Sequence, residues 1–418
     1  MDLASTGVWW DERSVAFAPA AGATQGSLVA NVDLDCEYLR GVVLDCFSRR
    51  RWLVQHPVAA QSGDCADASF TWAEYERTDF GRVLQGHLYA ACYCIRKALI
   101  RKCQFAYLCS KFVSKRPNSC LATGVPETHL FEFYDAEYIE EALADVHEVR
   151  DMNNDGSEWW ILKPSMTNQA NGIVVFNRLE TLIAALQAEG ADEVREWVLQ
   201  RYIHNPLLIG GRKFHLRVYA LAVGALKVYV FRDVLTLFSL QKYSDDPAQL
   251  AAHLTNTCRQ APADAHQEAA CVGLLSTLPE RLASEGALSS QEAQRRCATV
   301  FADAAALIGE AFAAVSSELS FMPLDNAFEL YGFDLLVDDQ WRVWLLEANA
   351  EPDFAQTGVE LKAVINNVVE GTMQLTLDQW FPHGAPNGLR ASMESQGPVL
   401  VFDRADPRAQ GGTAMQLH

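Results

Sequence analysis

Residues 331–353, YGFDLLVDDQWRVWLLEANAEPD, decide the fold. Segments 331–337 and 343–348 are runs of aromatic, aliphatic and β-branched residues separated by the polar Asp338, Asp339 and Gln340, which predicts a β-hairpin. Asp334 and Glu347 interrupt these apolar strands, where an ion without a partner is strongly disfavoured. Side chains alternate faces along a strand, so the turn fixes which residues meet. With a loop of Asp338 to Trp341, Asp334 stands opposite Leu345, and Glu347 is its diagonal neighbour on the same face, roughly 7 Å away. Asn349 shares that face. Such a set suits Mg²⁺, which takes one or two carboxylates plus phosphate oxygens and water. A three-residue loop would turn Asp334 to the other face, and an edge hairpin with two solvated acids is the alternative.

The surrounding chain has 418 residues, half of them apolar, enough for two or three subdomains around a sizeable core. A net charge of −19 excludes a general nucleic-acid binder, because phosphate neutralisation needs a basic surface. Eleven cysteines show no zinc spacing and no disulfide framework, which points to reduced thiols in the cytoplasm or nucleus. The N-terminal segment lacks a basic region followed by an apolar core, so secretion is not expected. The longest apolar run, 214–231, carries Arg217, Gly224 and Lys227 and predicts a hairpin, not a membrane span.

Residues 1–75 show only a strand-like segment near 51–54 and a polar loop at 61–68. Segment 86–112 has helical spacing, and Arg96, Lys97, Arg101, Lys102, Lys111, Lys115 and Arg116 follow one another without an acid. In so acidic a chain this basic face predicts docking of an acidic polypeptide or of phosphates; a solvated face balanced by acids at 135–145 is the competing reading. Segment 159–162 predicts a buried strand leading to Lys163. A polar loop and a second strand at 173–176 follow, a layout able to cover phosphates, and an ordinary hairpin is the alternative. Residues 179–189 predict an amphipathic helix, and 197–202 a strand running toward Pro206 that leaves backbone groups free for an adenine ring. In GGRKFHLRV, 210–218, alternation places Lys213, His215 and Arg217 on one face and Phe214, Leu216 and Val218 on the other. Three basic groups side by side call for an anion, with phosphate the natural candidate and Arg232 able to join them; a basic outer face is the alternative. HLTN, 253–256, is a polar loop able to cap a helix. Two or three alanine-rich surface helices with a linker near 284–290 are expected over 264–320, a core-packing helix over 361–381, and a mobile tail from His383.

In this order the segments 159–176, 197–221, 228–235, 253–256 and 331–349 resemble the tubulin-tyrosine ligase family of ATP-grasp ligases. IRKALIRK (95–102), KPSMT and NAEPDFAQTG look most like fungal members. The resemblance spans about 95–381. It implies an α+β ATP-grasp fold with the nucleotide between two antiparallel sheets and a smaller N-terminal α/β domain. The expected boundaries are 1–90 N-terminal, 91–205 central, 206–385 C-terminal and 386–418 tail. It further implies that ATP and Mg²⁺ activate a carboxylate as an acyl phosphate, which an amine then attacks. By motif match Lys163, Gln169, Gly172 and Lys213 would face phosphates, Gln200, Arg201, Tyr202 and Ile203 the adenine, and His253 and Asn256 the nucleotide. Arg217 and Arg232 would stabilise the transferring phosphoryl group, while Asp334, Glu347 and Asn349 would hold Mg²⁺, with Glu347 also counted as catalytic. His215 and Thr255 would contact substrate, and Arg96 and Arg101, from the basic segment, an acidic protein substrate.

Two positions depart from the family pattern. Gln169 and Ala170 replace a basic residue and glycine in the phosphate loop, and His215 replaces an acid. Three readings follow: a ligase adding tyrosine or glutamate to an acidic protein tail such as that of α-tubulin; an ATP-grasp ligase for another carboxylate; or a non-catalytic nucleotide- or tubulin-binding scaffold. None calls for nucleic acid or membrane.

Overall fold

The computed structural model describes residues 28–55, 68–132, 134–166, 171–188, 193–255, 271–352, 354, 362–382 and 397–406. Three sheets organise them. The first is parallel, with β1 (Val29–Asp33), β2 (Leu53–Gln55), β3 (Phe70–Ala73) and β4 (Tyr89–Ala90) in the order β2-β1-β3-β4. The helix Glu37–Arg49 crosses from β1 to β2, as a parallel pair requires, with Val43, Cys46 and Phe47 buried. Phe47, Trp52 and Phe70 pack with ring centroids 5.4 to 6.4 Å apart. The periodicity of this helix was present in the sequence, but only β2 was expected there.

The second sheet is antiparallel: β5 (Thr128–Glu132), β6 (Trp160–Pro164), β7 (Val174–Phe176) and β8 (Glu196–Arg201), in the order β5-β8-β6-β7. Trp160, Leu162, Leu199 and Phe176 point to one face, under the helices Ile139–Ala144 and Leu179–Leu186. Alternation sends Ile161, Lys163, Val198 and Gln200 to the other face.

The third sheet contains β9 (Leu208–Ile209), β10 (Arg212–Val223), β11 (Lys227–Val230), β12 (Leu235–Phe238), β13 (Val272–Leu274), β14 (Phe328–Val337), β15 (Val343–Ala350) and β16 (Val399–Asp403). β10 is its spine: β14 lies along one edge, while β12 and β11 share the other. Phe214, Leu216 and Val218 face the main core, as their alternation predicts. An α+β fold with two antiparallel sheets facing each other results.

Several expectations fail here for tertiary reasons. The helix expected over 86–112 is divided: β4, a short helix Lys97–Ile100, a break at the extended Arg101, then the helix Lys102–Lys115. Ala98 donates to the Ser320 carbonyl, so a distant segment holds the first piece. The alanine-rich region is no surface array. Ser290–Val315, apolar and long enough to cross a membrane, packs Val300, Leu307, Ile308 and Phe312 into the core. Its small residues permit close approach, since a Cβ on Gly309 would lie 2.7 Å from the Val401 carbonyl oxygen. Within the expected tail, β16 is an edge strand paired with β11 and not mobile chain, while residues 383–396 and 407–418 lie outside the described residues. The C-terminal helical expectation over 361–381 is met by Lys362–Leu375 and Leu377–Trp380.

Candidate functional site

The hairpin of β14 and β15 turns through five residues, Asp338–Arg342, because Val337 pairs with Val343. Asp338 is fully buried and builds the turn, accepting from the Gln340 and Arg342 N–H groups, Arg342 Nε and Trp344 Nε1. A five-residue turn alone would put Asp334 and Glu347 on opposite faces. A β-bulge after Asp334 adds one residue on β15 and restores the parity, so Asp334 stands directly opposite Glu347 rather than diagonal to it. Gly332 pairs with Asn349 on the same face, and Asn349 Nδ2 donates to Asp334 Oδ2 at 3.2 Å.

β10 supplies the next row. Arg217 pairs with Asp334 across the sheet, donating from Nε at 2.6 Å and from Nη2 at 3.2 Å. Burial opposes the guanidinium charge, yet Asp334 overrides it and raises the Arg217 pKa. A Cβ at Gly332 would meet Pro352 Cβ at 2.8 Å and Arg217 Cδ at 3.0 Å, so only glycine leaves room for this arginine. His215 is buried; its Nδ1 meets Thr255 Oγ1 at 2.6 Å, and its Nε2 lies 3.6 Å from Asp334 Oδ1 without a hydrogen-bond partner. Burial pulls its pKa down to about 4 against the pull of Asp334, so the ring is neutral at pH 7.

Two buried lysines close the site from both sheets. Lys163 on β6 donates to Gln200 Oε1 at 2.8 Å, and Gln200 Nε2 donates to Thr128 Oγ1 at 2.9 Å. Lys213 on β10 donates to the Tyr202 hydroxyl at 2.7 Å, and that hydroxyl meets His253 Nδ1 at 2.9 Å. His253 Nε2 faces the Asp246 carbonyl at 2.9 Å, which only accepts, so Nε2 carries the proton and Nδ1 accepts from Tyr202. Neither lysine has a carboxylate in ion-pairing range among the described residues. Burial lowers Lys163 to about 8, with Glu347 opposing and Lys102 assisting, and lowers Lys213 to about 7, with Lys163 assisting. Glu347 is held down at about 2: Lys102, 3.4 Å away, together with Lys163 and Arg217, outweighs the burial that opposes its charge.

After β8 the chain is extended, and Ile203, buried, has neither its N–H nor its C=O bonded among the described residues. Trp159, Ile161, Val175 and Tyr202 form a small apolar cluster beside it. Arg201 brings only its backbone here. Its side chain stacks over Trp160 at 4.1 Å and pairs with Glu127 and Glu158, away from the cleft.

Other expected site residues are placed elsewhere. Arg232 is exposed, donates to the Gly397 carbonyl at 3.3 Å and lies over Phe301, because it follows β11 on the far side of β10. Arg96 is buried and ion-paired with Glu329 and Glu351, stacked 4.2 Å above Tyr75. Arg101 is half-buried at the helix break. Part of the basic face expected to dock a partner is thus answered within the molecule, Lys102 by Glu347 and, at the surface, Lys111 by Glu318 at 2.7 Å, while Lys97 and Lys115 stay exposed. Gln169 and Asn256 lie outside the described residues. Gly172 lies in the turn before β7, in the left-handed region at φ +71°. Sequence reasoning missed the place of Lys102 in the site, Thr128 behind Gln200, and the need for Gly332. The run of cations marked Lys102, but not its direction.

The profile of the tubulin-tyrosine ligase family matches residues 96–383. A probable tubulin–tyrosine ligase of Schizosaccharomyces pombe is 33% identical over 376 residues, 80% of this chain and 89% of that protein. Another from Saccharomyces cerevisiae, Pby1, is 30% identical over 75% of this chain but only 46% of its own length. A probable α-tubulin polyglutamylase of Tetrahymena thermophila is 29% identical over 62% of this chain and 65% of its own length. The crystal structure of the C-terminal domain of K. lactis Pby1, described as an ATP-grasp enzyme interacting with the mRNA decapping enzyme Dcp2, superposes with a TM-score of 0.63. It is 29% identical, over 85% of this chain and 94% of that one.

Proposed function

Since the chain belongs to the tubulin-tyrosine ligase family and has the ATP-grasp fold, we propose that it is an ATP-dependent ligase joining a free amino acid, tyrosine or glutamate, to a protein carboxylate. The observation that carries this reading is a pair of buried lysines, one from each antiparallel sheet and without carboxylate partners among the described residues, with Lys163 facing Asp334 and Glu347 from the opposite sheet. Such cations are stable only when an anion with several oxygens comes to them, and nucleotide phosphates are that anion. The free backbone groups of Ile203, beside the apolar cluster, suit an adenine edge.

The donor set fits Mg²⁺: Asp334, Glu347 and Asn349 lie on one face of adjacent strands, and the Asn349 amide, donating its N–H to Asp334, keeps its carbonyl oxygen available. When bound there, the ion supplies neutralisation of phosphate charge. Lys163 and Lys213 orient the phosphates from opposite sheets. Arg217, kept charged by Asp334, faces the same space and stabilises negative charge as it develops in phosphoryl transfer. Exclusion of water follows from the burial of both lysines, and positioning carries the reaction.

The acceptor is the finer question. The relatives' names favour tubulin, whose acidic tail is the first acceptor to test. A second reading, a different protein acceptor, is favoured by the internal pairing of Arg96 and Lys102, which withdraws two of the seven cations from the face an acidic tail would use. The test is Mg²⁺-dependent ATP binding by thermal shift for the wild type and Glu347→Gln, followed by incorporation of labelled tyrosine and glutamate into tubulin. Binding and incorporation, both lost in the variant, support the ligase on tubulin. Binding without incorporation moves the acceptor elsewhere, and an absence of binding overturns the enzyme reading.

A further inference from the structure

We propose that His215 is a further ligand of the cation site, giving it a mixed nitrogen and oxygen donor set that takes a divalent transition ion such as Mn²⁺ more tightly than Mg²⁺. This rests on the cation site argued above and adds a residue to it. The starting observation is an orphan: His215 is 4% exposed, and its Nε2 has no hydrogen-bond partner among the described residues. A buried polar atom left without a partner is uncommon and marks a place where something else completes the bond.

The orphan atom points at the right place. It lies 3.6 Å from Asp334 Oδ1, beyond hydrogen-bond range. Two donors sharing one cation at about 2.1 Å each stand roughly 3.0 to 3.4 Å apart, so a shift of a few tenths of an ångström lets both reach one ion. Asp334 Oδ1 already accepts from Arg217 Nε, but a carboxylate oxygen has two lone-pair directions and one remains. Lys213 and Arg217 flank the ring on its own strand, and Asp334 and Glu347 face it from β14 and β15.

The other ring nitrogen makes the second point. Nδ1 is held by Thr255 Oγ1 at 2.6 Å, the outer bond that fixes the tautomer and aim of a metal-bound histidine. With Nδ1–H donating to Thr255, the lone pair of Nε2 is directed at the carboxylates. Mn²⁺ accepts the same oxygen ligands as Mg²⁺, but an imidazole nitrogen in the set costs a transition ion less than it costs Mg²⁺, so the mixed set shifts the balance toward Mn²⁺.

The experiment is Mn²⁺ titration of the nucleotide-free full chain followed by electron-spin-echo spectroscopy. The expected result is a ¹⁴N coupling of directly bound imidazole, converted to ¹⁵N when only the histidines carry ¹⁵N. His215→Asp keeps an oxygen donor, and it should retain Mn²⁺ binding, lose the nitrogen coupling and narrow the Mn²⁺-over-Mg²⁺ affinity ratio about tenfold. Thr255→Val should weaken Mn²⁺ binding about tenfold or more with the coupling altered. The labelled wild type shows that a histidine is the ligand, and because His129 stands with Glu127 and Glu148 in a second cluster able to hold a metal, His129→Gln should leave the coupling unchanged; its loss there overturns His215 as the ligand. Mn²⁺ bound without nitrogen coupling overturns His215 as a ligand and leaves the cation site standing; no Mn²⁺ bound by the wild type overturns both.

Discussion

Two kinds of buried cation stand within one molecule. Arg96 and Arg50 lie in the interior with their charges answered: Arg96 by Glu329 and Glu351, Arg50 by Glu370 at 2.6 Å and Asp378 at 2.8 Å. Lys163 and Lys213 are as deeply buried, but their partners are an amide and a hydroxyl. In the first kind the partners raise the pKa over the opposition of burial; in the second, burial lowers it to about 8 and about 7. An answered charge ties segments together, Arg50 joining the first helix to the C-terminal ones. An unanswered charge is a binding site, stable once its anion arrives.

The comparison is broken first at Glu347, the carboxylate that Lys163 faces. Glu347→Gln removes a charge that Lys102, Lys163 and Arg217 all stabilise, and ATP-dependent incorporation should fall by about 10² to 10³ while the fold persists, read by circular dichroism. Glu329→Gln strikes the answered kind. It leaves the buried Arg96 with only the half-exposed Glu351, and urea unfolding should show a loss of about 3 kcal/mol. Gly332→Ala separates packing from charge. Its new methyl displaces Arg217, so turnover should fall by about tenfold with a stability cost of about 1 to 2 kcal/mol.

Protonation sharpens the contrast. Both lysines have folded pKa values below the ordinary 10.5, so between about pH 7 and 10.5 the unfolded chain binds more protons and stability rises with pH. That rise should flatten in Lys213→Met. Nucleotide binding at pH 8 should take up protons, measured by calorimetry in buffers of different ionisation enthalpy. The smallest effect is expected at Arg232→Ala: exposed and turned toward Phe301, it should change activity less than about twofold and stability by no more than about 0.5 kcal/mol.

What could be read in the sequence followed local rules. The alternation of Lys213, His215 and Arg217 against Phe214, Leu216 and Val218 survives intact, because a strand between a core and a cleft has no other way to arrange its faces. Asp334, Glu347 and Asn349 do share one face, but through a route the sequence did not display. The turn is one residue longer than expected, and a bulge compensates, since burying Asp338 as the turn's acceptor outweighs the shorter loop. The basic segment misled for a related reason. A run of cations looks the same whether it meets water or acids more than 200 residues away, as Arg96 does at Glu329.

The chain by itself therefore determined its strands, their faces, the order of its motifs and the family they resemble, because these depend on spacing along a few residues. Only the tertiary structure decided which charges are answered and which wait. Pairing is a property of distance in space, and burial turns the difference between a carboxylate and a hydroxyl at 2.7 Å into the difference between a strut and a site.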